Sequence, residues 1–286
     1  MRIAKLPIAL IFIVCLISPV LHAQAKKPLV LVDLNIRYNN PNDGVNAWPL
    51  RSSTTLPWIQ EQKADIYFFQ EVFLDQLKDL QAALVDYNYY GVGRDDGQSL
   101  GEYAPIFFNA QRFQFISGKT IWLSATPEIP SKSWDAACER ICTWVKLYDV
   151  HTHDTLLMAN THWDHIGTQA RAESGKIIAA ELEKENNQFP ILLGGDFNTN
   201  IQDLALTPLR TMVCPAGDTS FWSNPSFHGF GTSFSNGCID FIFFNSKWKC
   251  VQFESVRYAD SDTKNQKIYL SDHDAFIFKF EPRIFE

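Results

Sequence analysis

The sequence predicts an α/β protein in which two mixed β-sheets pack on each other with helices outside. Ten strand-like runs recur between "PLVLVDLNI" (28–36) and "DAFIFKF" (274–280). Several are apolar throughout, as strands covered on both faces would be. Two stretches repeat apolar residues every three to four positions, the spacing of an amphipathic helix face. They are Leu74, Leu77, Leu80 and Leu84, and Ala172, Ile177, Ala180 and Leu182 in 169–186. Strands outnumber helices; some follow one another as hairpins would, and others are joined through a helix. Both antiparallel and parallel neighbours are therefore expected.

Residues 1–25 stand apart from the fold. Arg2 and Lys5 precede the apolar run "LPIALIFIVCLISPVL", and "HAQA" follows it. That is the layout of a secretory signal, with Ala23 and Ala25 spaced for cleavage. Pro19 interrupts the run, which is shorter than the roughly 20 residues a membrane span needs. Cys15 lacks the small residues that usually precede a lipidated cysteine. An exported protein, periplasmic or extracellular and without a transmembrane segment, is expected, with 26–286 as one catalytic domain. No Gly/Ser linker, charge block or internal repeat divides it.

After the leader come strands at 28–36 and 65–70, the Leu-spaced helix, and strands at 104–109, 113–123, 142–150 and 155–162. The 169–186 helix follows, then strands at 190–195, 238–244, 251–258 and 274–280. Val, Ile, Phe, Tyr and Trp dominate these runs, the residues that suit a pleated, covered surface.

Removing Arg2 and Lys5 takes the formal net charge from −7 to −9. Such a surface repels polyanions at long range, so nucleic acid is a possible substrate that the charge does not favour. A monomer is expected. Cys138, Cys142, Cys214, Cys238 and Cys250 follow the leader. An oxidising compartment permits disulfides, and the odd number leaves at least one thiol free or paired between chains. At least one disulfide is expected; Cys138–Cys142 qualifies only if the segment between them turns. No nearby His or second Cys pair completes a zinc site there.

Polar residues terminate the apolar runs. Asn35 ends "VLVDLN", Glu71 ends "DIYFFQE", and "TLLMANTHWDH" carries His162, Asp164 and His165 off its end. In "PILLGGDFNTN" a strand at Pro190–Leu193 meets Gly194 and Gly195, expected to turn the backbone sharply and deliver Asp196 and Asn198. Asp240 sits among bulky apolar residues in "GCIDFIFF", and a buried carboxylate needs a partner, for which His273 in "YLSDHDAFIF" is suited. Each residue alone has an ordinary reading as a turn former, helix-start acid or core histidine. Together they converge where ligands gather on open sheets.

The set "LNIRY", "FFQE", "NTHWDH", "GGDFN", "IDFIF" and "SDHDAF", in this order, resembles the endonuclease/exonuclease/phosphatase superfamily over about residues 29–280. "GVGRDDG", "GEYAPIFF" and "SWDAACERICTW" look like a bacterial branch of secreted members. The resemblance implies a four-layered α/β/β/α sandwich, the DNase I-like fold, and hydrolysis of phosphate mono- or diesters with magnesium (manganese as the variant). It implies metal binding or orientation by Asn35 and Glu71, with Asp272 completing the acidic cluster. His162 would contact the phosphate, Asp196 orient or deprotonate the attacking water, Asn198 donate to the developing charge, and Asp240 hold His273 against the phosphate. Arg37, Arg94, Trp163 and Asp164 are the expected substrate contacts, with Trp163 and the loops at 91–103 and 124–140 shaping the pocket. Three positions depart from the family pattern: Trp163, Cys238 and the charge of Asp33 inside the first strand.

The chemistry asks for the same residue types. A phosphoester's charge repels hydroxide, so a cation and hydrogen-bond donors must stabilise what builds up. The sequence leans to a phosphodiesterase or nuclease. A phosphomonoesterase on inositol phosphates or similar molecules and a sphingomyelinase-like lipid phosphodiesterase are the alternatives. A binding domain that has lost catalysis is the reading from another class, opposed by the complete residue set. Serine catalysis finds no G-x-S-x-G.

Overall fold

The computed structural model describes residues 28–185, 188–211, 213–217, 220–261 and 266–283; the expected leader lies outside them. The first half runs β1 (Leu29–Asn35), α1 (Trp48–Gln62), β2 (Ile66–Gln70), α2 (Leu74–Ala83), β3 (Tyr87–Tyr90), β4 (Ile106–Asn109), β5 (Phe113–Trp122) and β6 (Ile141–Asp149). Then come β7 (Asp154–His162), α3 (Thr168–Lys184), β8 (Ile191–Asp196), α4 (Thr207–Arg210), β9 (Cys214–Pro215) and β10 (Asp240–Phe244). The chain ends with β11 (Trp248–Val256), β12 (Ala259–Ser261), β13 (Lys267–Tyr269) and β14 (Ala275–Pro282).

Alternation along the strands sorts side chains into layers. Leu29 and Leu31 of β1 and Ile66 and Phe68 of β2 join one core with Leu157, Leu193 and Ile242 of the other sheet. The intervening Val32, Leu34, Tyr67 and Phe69 pack outward against Trp58 and Ile59 of α1 and Leu77 and Leu80 of α2. Ile178 and Leu182 of α3 cover the far side of the second sheet. The result is the expected α/β/β/α sandwich. Full burial of a ring such as Phe68 stabilises by about 2 kcal/mol, so the layers are fixed by many such contacts.

Both sheets are mixed. The first has strand order β11-β14-β1-β2-β4-β3 and the second β5-β6-β7-β8-β10-β9. Each contains one parallel pair, β1 with β2 and β7 with β8. Helices α1 and α3 make the two crossovers, as parallel neighbours require.

Helix α1 has no counterpart in the sequence reading. Its inward face carries the fully buried Arg51 and Thr55 as well as Trp58 and Ile59, which hides the apolar periodicity. Both polar side chains donate to the Leu270 carbonyl, and Arg51 also to the Arg37 carbonyl. On α3 the buried face is Ala170, Ser174, Gly175, Ile178, Ala179, Glu181 and Leu182. Ala180 is exposed, so of the four residues expected on that face only Leu182 lies fully buried.

Gly194 and Gly195 do not form a turn; they lie inside β8, which runs on to Asp196. Gly194 is needed for space, because a Cβ there would meet Ile242 Cδ1 at 2.0 Å and Phe68 of the facing sheet at 2.9 Å. Gly195 has φ 130° and would put a Cβ 1.9 Å from the Thr161 carbonyl oxygen. Cys138 and Cys142 are not joined either. Both are free thiols, as are Cys238 and Cys250, and Cys142 is buried in β6, where extended backbone does not allow the turn that pairing required. The side chain of Cys214 lies outside the described residues.

Candidate active site

The carboxyl ends of the two parallel pairs meet at one edge of the sandwich. Asn35 ends β1 opposite Gln70, and Glu71 is the next residue. His162 ends β7 opposite Asp196, and Asp240 opens β10 against the same Asp196. Asp272 and His273 arrive on the segment before β14, which bridges to Phe227. Below them Gln70 donates to Asp33 and to Asn160 at 2.9 and 2.7 Å, a polar link between the sheets. Burial, with Asp240 nearby, pushes Asp33 well above the usual carboxylate range. Its surroundings thus favour the neutral form of the unusual acid in the first strand, which lowers its cost inside the core.

Asn35 joins the two sheets: its Nδ2 donates to Glu71 Oε1 and Asp196 Oδ2, both at 3.1 Å. The Asn198 backbone N–H donates to Asp196 Oδ1 at 2.8 Å. Asp240 Oδ2 lies 2.9 Å from His273 Nδ1 and also accepts from the Ser226 hydroxyl at 2.6 Å. His273 Nε2 points back to Asp196 Oδ2 at 3.7 Å. Burial alone would discharge this imidazole, but Asp240, Asp196 and Asp272 outweigh it and hold His273 well above its ordinary range. Asp196 is pushed up to about 7 by burial and by Asp240. A carboxylate there is poised as a base near neutral pH.

His162 lines the cleft beside Asn198. Asn198 Nδ2 donates to the Trp163 carbonyl and lies 3.0 Å from His162 Nε2, so Nε2 accepts and Nδ1 carries the proton. Burial, with Arg140 and Arg94 close by, lowers its pKa well below the ordinary value and keeps it neutral. His162 therefore positions Asn198, whose two N–H groups are engaged until another acceptor displaces one.

Backbone strain gathers at the same edge. Arg37, Glu71 and Asn198 adopt φ of 58°, 59° and 49°. Left-handed backbone at non-glycine residues costs about 1–3 kcal/mol each and persists where the surroundings impose it. Here the surroundings are the site's own hydrogen bonds, including Tyr38 N–H to Glu71 and Arg37 N–H to Asn35.

These groups open into a cleft of about 720 Å³. Of the residues singled out in the sequence, Arg37, Arg94, Glu71, His162, Asp196, Asn198, Asp272 and His273 line it, and Asp240 stands behind His273. Two expected contacts do not reach it. Trp163 is fully buried against Phe197, because strand β7 has turned its side chain into the core. Asp164 is also buried and takes N–H groups from Ala137, Ile166 and Gly167. Burial opposes its charge, yet these bonds and Arg140 bring it down to about 2. The loops at 91–103 and 124–140 do contribute, through Arg94, Glu102, Cys138 and Arg140. Glu102, Arg140, Phe227 and Phe234 carry no signal in the sequence, since nothing local marks an isolated residue of a long loop.

Glu71 and Asp272 offer carboxylate oxygens, which suit a hard divalent cation, while the Asn35 side-chain oxygen takes the Arg37 N–H and its Nδ2 orients Glu71 and Asp196. Asp196 pushed up to about 7 and the raised Asp272, both through burial and neighbouring acids, mark a site short of positive charge. The residues fit such an ion. Asp196, Asp240 and His273 also lie close enough to hold a metal, but His273 already bonds Asp240. In the Cys138, Asp164 and His165 group, Asp164 is taken by backbone N–H groups and His165 Nδ1 by Arg140.

A model of the Endonuclease/Exonuclease/phosphatase family matches residues 34–273. The chain belongs to this family. Members are hydrolases of phosphoester bonds, typically dependent on a divalent metal, and phosphoester hydrolysis is the reaction class of this chain. A family structure from Bacteroides vulgatus is 31% identical, with TM-score 0.81 over 90% of this chain and 100% of that one. A mannosyl-6-phosphatase from Bacteroides thetaiotaomicron is 30% identical, with TM-score 0.81 over 88% and 99%. The human Nocturnin catalytic domain, at 19% identity and TM-score 0.64 over 90% and 95%, shares the fold. No curated protein matches the chain. Among the described residues no helix is long and apolar enough to cross a membrane.

Proposed function

We propose that the protein is an exported, magnesium-dependent phosphomonoesterase acting on a compact substrate. The observation that carries this is the pairing of the cleft's arginines with acids. Arg37 bonds Asp43 at 2.9 Å, Arg94 bonds Glu102 at 2.6 Å, and Arg140 leans on Asp164 at 3.4 Å. A diesterase that tracks a polyanion needs a basic strip free to meet phosphates. A neutralised bowl suits a small ester instead, and the similarity to a mannosyl-6-phosphatase agrees with a phosphomonoester. This reverses the order in which the sequence alone ranks diester and monoester.

Protonated His273 donates to a phosphate oxygen whose charge grows in the transition state. Asp196, once ionised, orients the attacking water and takes its proton. Asn198 exchanges His162 for a second phosphate oxygen. Glu71 and Asp272 would hold the cation, with Asn35 orienting Glu71, and the ion would supply charge stabilisation and polarise the ester. Export rests on the N-terminal pattern alone, and N-terminal sequencing of secreted protein beginning near Gln24 or Lys26 would support it. For the reaction, purified mature protein is offered p-nitrophenyl phosphate, mannose 6-phosphate, bis-p-nitrophenyl phosphate, plasmid DNA and sphingomyelin with magnesium. Monoesters should be turned over fastest; cleavage of diesters or DNA alone would overturn the proposal.

A further inference from the structure

We propose that Arg140, Arg94 and Glu102 form a subsite for the hydroxyl groups of a polyol, so that the substrate is a sugar or sugar-alcohol phosphate. The inference rests on the monoester reading above and names its leaving group.

Arg140 is only 5% exposed. Its Nη2 lies 2.8 Å from His165 Nδ1 and its Nε 3.4 Å from Asp164 Oδ2, while Nη1 is buried with no hydrogen-bond partner. Arg94 repeats the pattern: Nη1 donates to Glu102, and Nε is buried without a hydrogen bond, Asp95 standing at 3.7 Å. Buried donors are nearly always satisfied, and both arginines line the cleft; these two N–H groups carry almost no exposed surface, so a small turn of each guanidinium would bring them to a ligand's oxygens.

The subsite stands one imidazole away from the reacting end. Glu102 Oε2 is 3.6 Å from His162 Nδ1, and His162 Nε2 is 3.6 Å from Asp196 Oδ2. A group esterified to a phosphate held at Asp196 and His273 extends into this space. Charge decides what kind of group it is. Glu102 and Asp164 offset the two guanidinium groups, so a second anion would gain little net attraction. A hydroxyl both donates and accepts: it donates a hydrogen bond to Glu102 and accepts one from an arginine N–H. The backbone bonds that fix Asp164 also fix Arg140 before a ligand arrives, which reduces the entropy cost of binding. Phe227, Phe234 and Ile239 also line the cleft and offer apolar surface to the C–H face of a ring held in it.

The test is selectivity. kcat/KM is measured with magnesium for mannose 6-phosphate and glucitol 6-phosphate against phenyl phosphate, in the wild-type protein, Arg140→Ala and Arg140→Lys, with circular dichroism to check folding. The wild type should favour the polyol esters. The polyol-to-phenyl ratio should fall by about 100-fold in Arg140→Ala, in line with a site built to bond hydroxyls. Arg140→Lys, which keeps the charge but loses the planar fork, should fall between. A ratio unchanged by both variants overturns the subsite, whether the two activities persist or fall together. Wild-type protein that turns over phenyl phosphate but no polyol phosphate overturns the subsite alone. Protein that cleaves only diesters overturns the monoester reading and the subsite with it.

Discussion

His273 lies among three carboxylates, and its charge depends on them. Asp240 bonds it at 2.9 Å, and Asp196 stands 3.7 Å away on its other nitrogen. Because the folded pKa is raised, the ring stays protonated through neutral pH and is lost as a donor only on the alkaline side. Asp240→Asn keeps the size and removes the charge, so the alkaline limb of kcat/KM should move to lower pH. Activity should fall by about 10², the scale of a lost charge-stabilising group. His273→Ala should cost at least as much, and the double variant little more than the worse single one, since the two act as a unit. Multiplicative losses in the three rate measurements would mean that the residues act independently. This dyad is legible in the sequence because an acid inside an apolar strand demands a partner. Trp163 and Asp164 mislead for the opposite reason: adjacency to His162 in the chain says nothing about which way each side chain turns. Arg140 and Glu102 acquire their meaning only from neighbours far along the chain.

Strand β8 shows what an element can and cannot reveal before it is folded. The apolar run and its terminal acid are plain in "PILLGGDFNTN", but the reason for two glycines is not. They read as a turn, whereas the strand continues and the glycines make room for Ile242, Phe68 and the Thr161 carbonyl. Gly194→Ala and Gly195→Ala should each lower stability by about 3 kcal/mol, because core overpacking and a strained φ resist relief. Urea unfolding measures this, and a loss below about 1 kcal/mol in both would contradict the packing. Gly195→Ala should also reduce kcat, since Asp196 is the next residue. Helix α1 escaped the sequence reading because its buried Arg51 and Thr55 satisfy carbonyls of other segments, a role that periodicity cannot register.

Across the whole molecule, the layered sandwich is readable because continuous apolar strands, some joined through a helix such as α3, admit few arrangements, even though the other crossover helix, α1, is not. The acidity of its edge then links folding to pH and metal. Burial raises Asp196 and Glu102 to about 7, with Asp240 adding to the first and Glu71 to the second. A carboxyl raised in the folded state binds more protons there than in the unfolded chain. Its contribution to stability therefore declines as pH rises from about 4 towards 7. A cation replaces the missing protons, so magnesium should raise Tm more at pH 8 than at pH 5.5. An equal rise at both, measured by thermal unfolding, would mean that the ion binds elsewhere.

Phosphate release by the purified protein after chelation bears most directly on a metal held by Glu71 and a base at Asp196. Mannose 6-phosphate or p-nitrophenyl phosphate is the substrate, and magnesium is then added back. Chelated protein should release no phosphate, added magnesium should restore turnover, and Glu71→Gln should require far more magnesium for the same rate. Full turnover in excess chelator, or a Glu71→Gln variant with an unchanged magnesium requirement, would contradict the account.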